Sequence, residues 1–307
     1  MRILVVGAGA VGGYFGARLV QAGRDVDFLV RPARAALLRE HGLVLRTIAG
    51  ETERIPVRAV TVSELAPEYD VVLLAVKSYG LEGAVDDLAG AVGPRTVVVP
   101  FLNGMRHLGV LTDRFGEERV YGGVSMVMTR LGASGEIVEV GRMGELIYGP
   151  LGDAPVVEPD LVHKALDGAG FTARTAQDIR QEMWDKWVFL ASLGAVTCLM
   201  RAPIGRVNRA PGGPEFSAGM FAEAMAVATA SGFPPSERIR TLADRIINDT
   251  ERDTSTSMYW DLTHDNPVEG EHIVGDLVAR GRALGVPTPL FSLAHTHLSV
   301  YSAGREA

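Results

Sequence analysis

Within its first 30 residues the chain lays out a strand, a glycine turn, a helix and a second strand, and this order constrains the fold more than any other feature. "RILVVG" (2–7) is a continuous apolar run of strand length, and "GAGAVG" (7–12) follows without a gap. "AVGGYFGARLVQAG" (10–23) has helical periodicity and ends on Gly23, and "DVDFLV" (25–30) reads as the next strand. A G-x-G-x-x-G match alone is weak in a chain with 36 glycines. Its place, directly after a strand and opening a helix, is what gives it meaning. In such a turn Gly7 permits the tight bend, Gly9 lets the backbone approach a pyrophosphate, and Gly12 lets the helix lie close on its strand. Ala8, Ala10 and Val11 complete the loop, whose helix N-terminus would offer N–H groups to an anion. The alternative is an ordinary helix–sheet turn that binds nothing.

Further apolar runs, "DVVLLAV" (70–76) and "TVVVP" (96–100), continue the alternation of strands and helices. Continuous rather than alternating hydrophobicity predicts a parallel sheet covered on both faces. Between about 120 and 150, "GEIVEVGRMGELIYG" changes to an alternating pattern and predicts antiparallel strands. Past about residue 176 strand signals fade. "TAQDIRQEMWDKWVFLASLGAVTCLM" carries a Thr-x-x-Asp start signal, and helices are predicted over it and over 215–231, 236–258, 270–284 and 289–302. The expected architecture is an α/β dinucleotide-binding domain over 1–176 and an all-α domain over 177–307.

Composition removes several function classes. A net charge of −7 without a basic block argues against nucleic acid as a partner. No run of about 18 apolar residues occurs, so no membrane span is expected. The single cysteine, Cys198, cannot form an intrachain disulfide, which makes a reducing cytoplasm the expected setting. "HTH" (295–297) could bring histidines to one metal, but no third ligand is placed by spacing, and no metal is expected.

The end of the second strand bears on the choice of dinucleotide. NAD binders carry an acidic residue about 20 positions beyond the fingerprint, bonded to the ribose. Here that position holds Arg31, with Arg34 close behind, and a guanidinium can fork onto a 2′-phosphate. Asp27 lies inside the strand, too early to reach the ribose. NADPH is therefore expected over NADH. Lys77 follows "DVVLLAV" and Asn103 follows "TVVVP", which places both at carboxyl ends of parallel strands, where open α/β sheets bind ligands. Asn103-Gly104 is equally a common turn pair.

Of the 30 basic residues only Lys77, Lys164 and Lys186 are lysines. Lys186 stands between two tryptophans in "EMWDKW". One reading pairs it with Glu182 on a solvated helix face, an interaction of about 0.2–0.5 kcal/mol. Arginine would serve there equally well. The other reading uses what only lysine offers, an ammonium whose pKa falls on burial until it can donate a proton.

Six segments in order, "GAGAVG", "VRPAR", "AVKSYG", "FLNGM", "EMWDKW" and "TSMYWDLTHDNPVEGEHIVGDLV", resemble the ketopantoate reductase (2-dehydropantoate 2-reductase) family over nearly the whole chain. The resemblance implies a Rossmann-type domain, a helical second domain that often mediates a homodimer, and NADPH-dependent reduction of ketopantoate to pantoate, as in pantothenate biosynthesis. It implies that Lys186 is the general acid and that Arg31 and Lys77 contact the cofactor. Asn103 would stand near both nicotinamide and substrate, and Ser257 would contact the substrate carboxylate. Glu269 would approach substrate and cofactor from the helical domain.

The chain also departs from the family. Asparagines expected four and eight residues after the lysine are Leu190 and Gly194, and a third is replaced near Ile204. Unpaired polar groups on a substrate cost orders of magnitude in rate or affinity, so a more apolar 2-oxo acid stands as an alternative substrate. A Tyr-x-x-x-Lys reductase is disfavoured, because no lysine has a tyrosine four residues before it. A non-catalytic NADPH sensor would have no use for a proton donor.

Overall fold

The computed structural model describes residues 1–65, 67 and 69–306. These residues divide into two compact units, Met1–Leu102 with His107–Ile179, and Asn103–Arg106 with the chain from Arg180 onward.

The first unit is built on the expected βαβ start. Strand β1 (Arg2–Val6) leads to helix α1 (Ala10–Gln21), strand β2 (Asp25–Leu29) and helix α2 (Pro32–His41). Strands β3 (Leu43–Arg46), β4 (Thr52–Ile55) and β5 (Arg58–Val60) follow, then β6 (Val71–Leu74), helix α3 (Leu81–Leu88), β7 (Val97–Pro100) and helix α4 (Arg106–Phe115). The parallel sheet has the order β5-β2-β1-β6-β7 among the described residues. Side chains of a strand alternate between faces. Ile3 and Val5 therefore join one buried cluster with Phe15 and Phe28, while Leu4 and Val6 join another with Leu81, Leu88 and Leu111. Both faces are covered, which is why β1, β6 and β7 read as unbroken apolar runs.

A second sheet, β10-β9-β3-β4 with β8 paired to β9, lies on the other side of α1. Strands β8 (Tyr121–Leu131) and β9 (Ile137–Pro150) form the antiparallel pair expected from the alternating segment, with a register shift between Val127 and Thr129. Helix α5 (Pro159–Leu166) and strand β10 (Thr172–Thr175) complete the unit. Asp27, inside β2, is 1% exposed and accepts hydrogen bonds from Arg2 (2.7 Å), Arg58 (2.6 Å) and Tyr69 (2.8 Å).

The helical unit opens with α6 (Ile179–Met200). It starts later than the Thr-x-x-Asp signal predicted, because Thr175 is the last residue of β10, paired with Tyr148 of β9. Then come α7 (Ile204–Asn208), α8 (Gly213–Ala230), α9 (Glu237–Ile247) and α10 (Ser257–Thr263). A π-helical turn over Glu271–Gly275 runs into α11 (Asp276–Ala283), and α12 (Pro289–Glu306) closes the chain as described. The helix predicted over 236–258 is two helices. The amide of Asn208 donates to the carbonyls of Ile246 (2.8 Å) and Asp249 (2.9 Å), and the Asp249 carboxylate accepts from the N–H groups of Glu251 and Arg252. These bonds end α9 and open the irregular segment 248–256, and Thr256 then caps α10 by accepting from Tyr259 N–H.

Candidate functional site

In the first unit the predicted cofactor residues gather at the carboxyl edge of the parallel sheet. Gly7 has φ +95°, in the left-handed region that favours glycine, and a side chain there would press on the Ala75 carbonyl at 3.1 Å. At Gly12 a Cβ would lie 2.2 Å from the Gly7 carbonyl oxygen and 2.7 Å from Ala75 Cβ, so only glycine lets α1 come this close. Above Gly9 there is open space. Gly9 is the N-cap of α1 and brings no side-chain cap, so the N–H groups of Ala10, Val11 and Gly12 have no intrahelical partner. An uncapped helix start below open space fits an anionic pyrophosphate. β1 and β6 are neighbours, and the strand order turns around between them, which is where open α/β sheets bind ligands. Lys77, half-buried, leaves the end of β6 at this point.

Arg31 is exposed at the N-cap of α2, one turn of chain beyond β2, with Pro32 at the first helical position. Arg34 is engaged elsewhere, donating to the Gly135 carbonyl at 2.9 Å. Asp27, held by Arg2, Arg58 and Tyr69, faces away from any ribose role. Thr129, which the sequence did not single out, donates to the Ala10 carbonyl at 3.0 Å and braces the glycine loop from β8.

The second unit carries Asn103, Lys186, Ser257 and Glu269. Lys186 keeps some surface open, yet burial around its ammonium pushes its pKa down to about 8, against an opposing pull from the Glu269 carboxylate. Glu182, its possible surface partner, meets Arg238 at 3.3 Å. Glu269 is only 6% exposed. A buried carboxylate next to a buried ammonium keeps the lysine protonated near neutrality while burial makes it a stronger acid than an ordinary lysine. His272, also missed, lies buried close by. Burial lowers its pKa, Glu269 and Asp276 oppose that, Arg106 adds to it, and the Asn103 backbone opposes it. Its ring and carbonyl stand against Gly104, which has φ +78° and no room for a side chain. No sequence pattern marks a histidine inside "EHIVG" as belonging with the Asn103 turn.

Ser257 is exposed at the first position of α10. Its neighbours Thr256 and Met258 pack on α6 at Gly194, where a Cβ would lie 2.8 Å from the Met258 methyl and 3.4 Å from Thr256 Oγ1. Leu190 is half-buried and Ile204 fully buried. Among the described residues no group of three His, Cys, Asp or Glu could hold a metal, and His295 bonds Glu271 at 2.6 Å. No helix among them is long and apolar enough to cross a membrane.

Comparison with known proteins agrees with this layout. Residues 3–153 match the family described as "Ketopantoate reductase PanE/ApbA", and residues 178–302 match its C-terminal counterpart. The chain is 29% identical over 303 residues to the uncharacterized oxidoreductase YkpB of Bacillus subtilis (strain 168), covering 99% of each. It superposes on a PanE/ApbA family ketopantoate reductase from Ralstonia eutropha JMP134 with a TM-score of 0.87, 26% identity and full coverage of both chains. A D-mandelate dehydrogenase solved with NADH and anilino(oxo)acetate shares the fold, with a TM-score of 0.89, 22% identity and full coverage of both chains. A Rossmann-type unit with its glycine loop, followed by a helical unit, and family matches over both place the chain in the ketopantoate reductase family of nicotinamide-dependent oxidoreductases acting on CH–OH groups.

Proposed function

We propose that the protein reduces a 2-oxo acid to the 2-hydroxy acid with NADPH, ketopantoate to pantoate being the reaction implied by family membership. The observation that carries the reading is the desolvated Lys186 beside buried Glu269, in a chain where only three of 30 basic residues are lysines. In this proposal residues 1–176 bind the cofactor, and 177–307 bind substrate and pair two copies in a cytoplasmic homodimer.

The glycine loop, Gly7 to Gly12, holds the pyrophosphate, and Lys77 and Asn103 secure the rest of the cofactor. Arg31 receives the 2′-phosphate; the absence of a free acidic group at the end of β2 supports NADPH over NADH. When bound, the cofactor supplies hydride to the carbonyl carbon. Lys186 donates a proton from Nζ to the oxygen as it gains negative charge, so the alkoxide never has to be released. Glu269 holds the ammonium in its charged form until transfer. Ser257 and Asn103 orient the substrate.

A second reading, a more apolar 2-oxo acid, is favoured by Gly194. A side chain there would meet the Met258 methyl at 2.8 Å, so the position brings no amide to a substrate hydroxyl, which a site without that partner does not reward. The test follows NADPH absorbance with ketopantoate and with branched and aromatic 2-oxo acids, in the wild type and Lys186→Ala. Turnover of ketopantoate that collapses in the variant supports the first reading; turnover of only the apolar acids supports the second. Tight NADPH binding with no substrate reduced would sink both and favour a sensor.

A further inference from the structure

The turn that follows Glu269 is not an α-helix. Asp276 N–H reaches back five residues to the Glu271 carbonyl, the signature of a π-turn. Two glycines press this turn against α12. A Cβ on Gly270 would lie 2.9 Å from Leu298 Cβ, and one on Gly275 would lie 2.8 Å from both His295 Nε2 and a Glu271 carboxylate oxygen. On its other side the turn meets α6. The indole N–H of Trp187 donates to the Ile273 carbonyl at 3.0 Å, with Trp187 1% and Ile273 2% exposed. Ile273 is bonded at its other end too, its N–H donating to the Glu269 carbonyl at 3.0 Å.

Those bonds close a circuit. Lys186 and Trp187 are consecutive on α6, Trp187 holds Ile273, and Ile273 holds the backbone of Glu269. The extra residue of a π-turn widens it and turns carbonyls off the helix axis, so an outside donor can reach one. The Arg280 guanidinium, paired with Asp276 at 3.1 Å, lies 5.5 Å from the Trp187 ring and 5.7 Å from that of Trp184; the two rings sit 4.8 Å apart, tilted by 42°. The indole is thus gripped on its face and through its N–H.

We infer that Trp187 is a positioning residue, whose bond to the π-turn sets the distance between the Lys186 ammonium and the Glu269 carboxylate. The inference rests on the proton-donor reading of Lys186. The other charged and titratable groups around them include Asp276 with Arg280, Glu182 and Asp185 with Arg238, and His272, which feels Glu269, Asp276 and Arg106.

The chain's three lysines allow a direct measurement. Protein labelled with 13Cε-lysine gives three resonances, and that of Lys186 is the one missing from Lys186→Arg. Trp187→Phe keeps an aromatic face in the core and removes the donor; without the bond Glu269 retreats while burial persists. The Lys186 titration is expected to move down by about half to one pH unit, and Trp184→Phe is expected to leave it in place. A Lys186 titration at the wild-type value in folded Trp187→Phe overturns the inference, as does an equal shift in Trp184→Phe. Should Trp187→Phe not fold, Gly270→Ala, whose methyl would lie 2.9 Å from the backbone-fixed Leu298 Cβ and so pushes the same turn from the α12 side, decides in the same way: a downward shift is expected and an unchanged value overturns it. Because the readout is a titration, a shift in Trp187→Phe together with a wild-type protein that reduces no 2-oxo acid upholds the positioning while refuting the reductase.

Discussion

Replacing Gly12 by alanine puts a methyl carbon 2.2 Å from the Gly7 carbonyl oxygen and 2.7 Å from Ala75 Cβ. Neither obstacle can swing aside, since one is backbone and the other is fixed to it. Ordinary contact needs about 1 Å more, so α1 must lift from the sheet. That helix carries Phe15 and Leu19, both fully buried, and lies on Phe28 at Gly16. Overpacking of this kind costs about 1–3 kcal/mol, or roughly 3–10 °C in Tm for a unit of this size. Gly9→Ala is the contrasting change. Nothing lies within 4 Å of its added methyl, and φ −85° suits any residue, so stability should stay within about 0.5 kcal/mol. The methyl does occupy the space a pyrophosphate needs, and the Kd for NADPH should rise at least about tenfold, some 1.4 kcal/mol. Thermal melts and titration calorimetry on the two variants separate packing from binding. Wild-type affinity in Gly9→Ala would refute the pyrophosphate site, and an unchanged Tm in Gly12→Ala would refute the close-packing argument.

Three further outcomes are expected. Reduction needs Lys186 protonated, so kcat should be level at neutral pH and fall above about pH 8; Glu269→Gln removes the charge that raises this pKa, and the limb should move to lower pH in the rate profile. Arg31→Ala should raise the KM for NADPH by roughly 10- to 100-fold, the worth of a charge-assisted hydrogen bond, while the KM for NADH hardly changes. Burial pushes the Asp27 carboxyl up, but hydrogen bonds from Tyr69, Arg58 and Arg2 outweigh it and hold its pKa below the ordinary value of 3.8. Its stabilisation is complete above that value and lost as pH falls through the lowered one. Asp27→Ala removes the carboxylate shared by Tyr69, Arg2 and Arg58, the last keeping Asp25, and should cost about 1–3 kcal/mol at neutral pH, with less further loss on acidification than the wild type in denaturant melts.

The strands and loops of the site differed in how much the sequence revealed. β1, β6 and β7 were legible because strands buried on both faces must be apolar throughout, while β3, β4, β5 and β10, with segments such as "TERI" and "TART", are half-exposed and carry no such pattern. The 236–258 segment has helical composition, yet side-chain bonds from Asn208 and Asp249, one of them 38 residues away, break it. Glu269 was visible only through family resemblance. As one acid among 37 acidic residues it has no local mark; its burial beside Lys186 distinguishes it. Trp187 is a core residue whose N–H also does something that periodicity does not encode.

By itself, then, the sequence determined the βαβ start, the glycine turn and the oddity of a lysine between tryptophans, because each depends on residues within a few positions of one another. Tertiary structure alone decided that Gly12 sits under the Gly7 carbonyl, that Asp27 is consumed by Arg2, Arg58 and Tyr69, and that Lys186 feels Glu269 across 83 residues of chain. Desolvation and charge are properties of the space around a group, and that space is filled by residues brought from elsewhere in the chain.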